Sequence, residues 1–128
     1  MAFTQPCFIR KNTPELRKKL EDLGYISHIF NNNDANNIYA DKLGTYISVD
    51  IENQPYYIDC ETNEQLFLAL AALRDDTDIN QYFVCDKVSF TLGKTYYPDD
   101  YLYYQYDEFF DKQNWHKATV KEIIEHFK

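Results

Sequence analysis

Glycine is scarce in this 128-residue sequence, with only Gly24, Gly44 and Gly93, and each stands alone. None sits between an expected strand and a following helix, so the glycine-rich loops that cradle nucleotide phosphates are excluded. With four prolines as well, the chain falls outside the collagen-like, linker and disordered classes. The three cysteines, Cys7, Cys60 and Cys85, are odd in number, far apart and flanked by apolar or aromatic residues, which predicts buried strand thiols and no disulfide framework. Basic residues are outnumbered, 13 against 21 acidic, and the formal charge of −8 disfavours binding to a nucleic-acid backbone. Long apolar runs are missing too: Leu66–Leu73 covers eight residues, against the roughly 20 needed to cross a bilayer. The opening MAFTQPCFIRKN has no charged-then-apolar leader pattern. Together these features set the expectation of a cytoplasmic protein in a reducing compartment, with no membrane contact.

What is present is a globular composition, 45% hydrophobic and 27% charged, in a length suited to one domain over residues 1–128. Aromatic residues make up 17%, from 12 Tyr, 9 Phe and one Trp, so large rings must build much of the core and part of the surface.

The clearest local pattern is a strand, helix, strand unit over Cys7–Phe30. Cys7-Phe8-Ile9 has strand character, and Leu16, Leu20 and Leu23 form one helical stripe. Thr13 is suited to cap that helix, Pro14 to its first position, Glu15 to its positive end and Gly24 to its left-handed stop. Tyr25–Phe30 reads as the returning strand. The asparagine-rich run 31–37 is a loop. Ile38–Ala40 and Thr45–Ile51 follow as strands around Gly44, the second alternating Ile47, Val49 and Ile51 on an apolar face against Tyr46, Ser48 and Asp50 on a mixed one. Tyr56–Cys60 is a further strand leading into a helix from Asn63 to about Asp75. Thr62 and Gln65 form a capping box there, and the apolar run Leu66–Leu73 makes this the central, buried helix. Gln81–Asp86 and Val88–Leu92 read as strands, with Gly93-Lys94 as a hairpin turn into Thr95–Tyr97. Thr119 and Glu122 form a second capping box for a last helix whose apolar stripe is Val120, Ile123, Ile124 and Phe127. The expected fold is a single α+β domain, about three helices packed on a mostly antiparallel sheet of five to seven strands. Its anchors are Leu16, Leu20, Leu23, Leu66, Leu70, Leu73, Ile123 and Phe127.

No constellation of reactive residues completes a familiar motif. Asp76-Thr77-Asp78-Ile79-Asn80 starts like a calcium loop, but Gln81 stands where a glycine is required and Lys87 where a bidentate glutamate is required. His28, His116 and His126 lack partners at metal spacing, and His126 has only Glu122 one turn before it. Cys60 precedes a helix start, where a thiolate is stabilised, but Glu61 beside it opposes the negative charge. No metal or cofactor is implied, and the balance points away from an enzyme.

The most distinctive stretch runs from Tyr96 to Asp111. Tyr96, Tyr97, Tyr101, Tyr103 and Tyr104 offer contact area at low side-chain entropy, while Asp99, Asp100, Asp107 and Glu108 would select a basic protein partner. The competing interpretation is a tyrosine-rich sheet edge whose acids provide solubility.

Three blocks carry a resemblance: FIRKNTPELRKKLEDLGY at 8–25, IDCETNE at 58–64 with LFLAL at 66–70, and HKAT at 116–119. They resemble small uncharacterised proteins of Bacteroides-type gut bacteria and their phages or mobile elements. The resemblance covers the helical units, implies a stand-alone accessory protein and transfers no catalytic residue. The expected function is thus a non-enzymatic interaction protein, a phage or mobile-element accessory factor binding a protein partner through the acidic tyrosine-rich face. The alternative is a small enzyme or ligand-binding domain whose site is assembled from dispersed Asp, His and Cys residues.

Overall fold

In the computed structural model, residues 3–52, 54–77, 81–85, 90–92 and 115–127 are described. Their elements run β1 (Cys7–Ile9), α1 (Pro14–Leu23), β2 (Ile26–Ser27), β3 (Asn37–Ala40), β4 (Thr45–Val49), β5 (Ile58–Asp59), α2 (Glu64–Ala71), β6 (Tyr82–Cys85), β7 (Phe90–Leu92), β8 (Trp115–Lys117) and α3 (Val120–Phe127). The architecture is α+β, with three helices among the described residues.

Helix α1 forms as its sequence dictates. Thr13 accepts from the Leu16 amide, Pro14 opens the first turn, and Gly24 closes the helix at φ 110°, returning its own amide to the Glu21 carbonyl. The chain then comes back as β2, but not beside β1. The β3–β4 hairpin fills the gap, giving a five-stranded sheet of order β2-β4-β3-β1-β5. The β1–β3 and β3–β4 pairs are antiparallel, whereas β1–β5 and β2–β4 are parallel. This corrects the expected mostly antiparallel sheet: each outer strand arrives by a crossover, so both edges of the sheet are parallel pairs. A separate three-stranded antiparallel sheet has the order β7-β6-β8.

Register decides which residues face the helices. Cys7 opposes Ala40, Ile9 opposes Ile38, and these in turn oppose Tyr46 and Ser48. This row is buried and lies under α1 and α2, with the Cys7 thiol 3.8 Å from the Phe67 carbonyl. The mixed face of β4 therefore turns inward, and Ile47 and Val49 are only half-buried, the reverse of what apolarity alone suggests. On the other face Phe8 packs on Tyr39 and Tyr39 on Tyr57, while Arg10 lies 5.3 Å from the Phe8 ring centre. The Tyr39 hydroxyl donates to the Ile51 carbonyl, fastening the segment after β4 across this face.

Leu16, Leu20, Leu66, Leu70 and Ile123 are buried in one cluster, with Leu23, Leu73 and Phe127 half-buried at its margin. Phe3 stacks on Tyr25 with ring centres 4.2 Å apart and packs against Gly44, where an added Cβ would meet its ring at 3.3 Å. Helix α2 is shorter than expected and is capped by Asn63, not Thr62: the Asn63 side chain accepts from the Leu66 amide. Helix α3 carries the reciprocal capping box, with Thr119 accepting from the Glu122 amide and Glu122 from the Thr119 amide. The Gly93-Lys94 hairpin and the tyrosine-rich segment lie outside the described residues.

Candidate functional site

The tyrosine-rich candidates, Tyr96, Tyr97, Asp99, Asp100, Tyr101, Tyr103, Tyr104, Asp107 and Glu108, all lie outside the described residues. Two other regions bear on the dispersed-residue alternative, and one was not foreseen.

The first is the corner between β5 and α2, where Asp59, Cys60, Glu61, Thr62, Asn63 and Leu66 line a cavity of about 420 Å3. Its thiol is protonated at neutral pH. Burial, with the neighbouring Asp59 carboxylate, pushes Cys60 up to about 12, and burial raises Cys7 well above its ordinary value. The helix start expected to favour a thiolate is outweighed by desolvation. Asp59 is also committed: it binds Arg10 at 2.8 Å and accepts from the Glu61 amide. Burial acts to raise its carboxyl, but these two contacts outweigh it and hold the group below the usual carboxylate range. His28 belongs to the opposite edge of the sheet. Strands β2 and β5 are four spacings apart, about 19 Å, so His28 cannot join Asp59 and Cys60 in one site. Among the described residues no group of three His, Cys, Asp or Glu side chains is placed to hold a metal ion. Asp76, from the truncated calcium-loop pattern, is bound by Arg74 at 2.9 Å.

The second is an apolar cavity of about 220 Å3 between α1, α2 and β6. It is lined by Leu23, Leu68, Ala69, Ala72 and Tyr82, with Lys19 and Asp22 at its rim.

The unforeseen region is the β2 edge. Tyr25 is buried and anchors it from inside, and the Ile26 and His28 amides donate to the Gly44 and Tyr46 carbonyls of the β4 side, both at 2.8 Å. Alternation in a parallel ladder then turns the Ser27 peptide away from β4, and no strand lies beyond β2 among the described residues. Past His28 the chain turns sharply. The Phe30 amide donates to His28 Nδ1 at 3.1 Å and the Asn31 amide to the His28 carbonyl at 3.0 Å. Asn31 and Asn32 tie the far side of this turn to the Ser48 backbone. At the other end of the edge, the Asp41 carboxylate accepts from the Leu43 and Thr45 amides and closes the β3–β4 turn.

These hydrogen-bonded turns hold four apolar side chains in solvent: Ile26 is 69% exposed, Ile29 86%, Phe30 73% and Leu43 71%. The expected strand Tyr25–Phe30 shortens to Ile26–Ser27, and its outer apolar residues are presented, not buried. A signal was available: Leu23–Asn33 is an eleven-residue stretch without Asp, Glu, Lys or Arg in a chain that is 27% charged.

Comparison of the chain with protein-family models, curated proteins and solved structures finds no match. No described helix is long and apolar enough to cross a membrane.

Proposed function

We propose that this chain is a non-enzymatic interaction protein. The observation that carries this reading is the β2 edge, where Ile26, Ile29, Phe30 and Leu43 stand in solvent on hydrogen-bonded turns. Natural sheets guard their edges with short strands, charges, prolines or bulges; β2 is short but carries none of the others, and exposed apolar side chains along such an edge are the kind of surface that proteins use to recognise one another. The protonated thiols and the committed Asp59 of the β5–α2 corner weigh against the enzymatic alternative.

Recognition of a different protein is assigned to Tyr96–Asp111, on the grounds of its composition: rings with polar tips among carboxylates suit a basic partner. A role as an accessory factor of a phage or mobile element rests on the sequence resemblance alone, whereas the cytoplasm as its compartment is inferred from the odd, dispersed cysteines. The test is quantitative capture of host proteins on the immobilised chain, comparing wild type with a variant in which Tyr103, Tyr104, Asp107 and Glu108 are replaced by Ser or Asn. The variant should melt cooperatively and lose a specific partner, and wild-type capture should weaken with salt. A folded variant that keeps the same partner would overturn the assignment of this segment.

A further inference from the structure

The exposed apolar edge poses a question of occupancy, and its chemistry restricts the answer. The stretch Leu23–Asn33 carries no formal charge, although the whole chain carries −8. A surface selecting a partner of opposite sign would place its carboxylates there. A surface that meets its own copy across a two-fold axis is best left uncharged near that axis, where each side chain faces its own equivalent. The backbone satisfies the same symmetry. The outward Ser27 peptide offers one donor and one acceptor, and two such residues related by a two-fold axis exchange both bonds as an antiparallel pair.

Area is sufficient as well. Ile26, Ile29, Phe30 and Leu43 together expose on the order of 500 Å2 per copy, so a symmetric contact that covers all of it reaches on the order of 1,000 Å2, the lower bound of a specific interface. The turns at 28–31 and 41–45 are already closed by hydrogen bonds, so little ordering opposes the contact.

We propose that the β2 edge is the contact of a homodimer, in which β2 pairs antiparallel with β2 of a second copy around Ser27 and the two five-stranded sheets become one. This specifies one of the surfaces of the proposed interaction protein and is independent of its tyrosine-rich segment. Because both copies are acidic and the Leu23–Asn33 stretch brings no formal charge to the contact, raising salt screens the net repulsion between them and strengthens the dimer, the opposite of an interface held by ion pairs.

Sedimentation of the purified full chain over a concentration series provides the test. Wild type should pass from one to two copies, with self-association tightening as salt rises. The Ile29→Asp/Phe30→Asp variant should weaken self-association by at least about tenfold, with its circular dichroism and melting cooperativity unchanged. Independently, Ser27→Cys should give a covalent dimer on mild oxidation, because directly paired residues bring their Cα atoms to about 5.5 Å. A Lys42→Cys control, exposed but off the pairing axis, should cross-link far more slowly. A wild type that stays monomeric at every concentration overturns the proposal, as does a dimer indifferent to the Asp substitutions or a Ser27→Cys variant that cross-links no faster than the control. Each of these results leaves the partner-capture test standing as a separate measurement on the tyrosine-rich segment.

Discussion

The Tyr25 hydroxyl donates a 2.8 Å hydrogen bond to the Ala71 carbonyl, joining the chain that leaves α1 to the last turn of α2. Both groups are buried, and Phe3 stacks on the same ring, so a single side chain ties the first helix, the N-terminal segment and the second helix together. Replacing Tyr25 by Phe keeps the ring contacts and removes only the donor, leaving the Ala71 carbonyl without this partner. The expected loss is about 1–3 kcal/mol, measured by urea unfolding at pH 7. A change below about 0.5 kcal/mol would show that the bond does not link the two helices energetically.

The same hydroxyl links stability to pH. Burial raises the Tyr25 phenol far above its ordinary value, and raises the Cys7 and Cys60 thiols, the latter from 9.0 to about 12. Above these ordinary values the unfolded chain releases protons that the native chain retains. The stabilisation is therefore complete below about pH 9 and declines as pH rises through the native values. Melting temperature should fall steadily from pH 9 to pH 12. Phenylalanine at position 25 cannot release a proton, so the stability gap between wild type and Tyr25→Phe should narrow over that interval. A gap that stays constant would contradict the assignment of a buried neutral phenol.

Legibility from sequence follows the range of the interactions. Helix α1 and its caps were readable because Thr13, Pro14 and Gly24 act on their immediate neighbours. Strand β8 was not: Trp115, His116 and Lys117 have no alternating pattern, and pairing with Cys85, Val84 and Phe83 of β6 defines them. The mixed order of the larger sheet escaped for a similar reason, since insertion of the β3–β4 hairpin between β1 and β2 leaves no local trace. At the β2 edge the apolar residues were visible, but sequence hydrophobicity does not distinguish a core strand from one whose outer side chains meet solvent.

The start of α2 separates a cap suggested by spacing from the one that operates. Thr62 and Gln65 have capping-box spacing, yet Asn63 accepts from the Leu66 amide at 3.1 Å and donates from Nδ2 to the Phe127 carbonyl at 2.6 Å. Glu61 takes the left-handed conformation, φ 53°, in the turn that leads into the helix. Asn63→Ala should cost about 1–2 kcal/mol, combining the lost cap with the lost tie to the end of α3, whereas Thr62→Ala should change stability by less than about 0.5 kcal/mol. Thermal unfolding of the two variants side by side would reverse this assignment if Thr62→Ala proved the more damaging.

Ile38 and Ser48 sit opposite each other in the β3–β4 ladder, both fully buried beneath the helices, and call for opposite outcomes on truncation. Ile38 belongs to the core cluster, so Ile38→Ala removes packed methyl groups and leaves a cavity costing about 2–5 kcal/mol. Ser48 instead brings a hydroxyl that has no hydrogen-bond partner among the described residues, while its amide donates to Asn31 and its carbonyl accepts from Asn32. Alanine there keeps both backbone bonds and removes the desolvated oxygen, an exchange expected to be neutral or stabilising by up to about 1 kcal/mol. Chemical denaturation of both variants provides the measurement. A loss above about 1 kcal/mol for Ser48→Ala would mean that the hydroxyl bonds in the native state, and that the inward turn of β4's mixed face is satisfied by a partner.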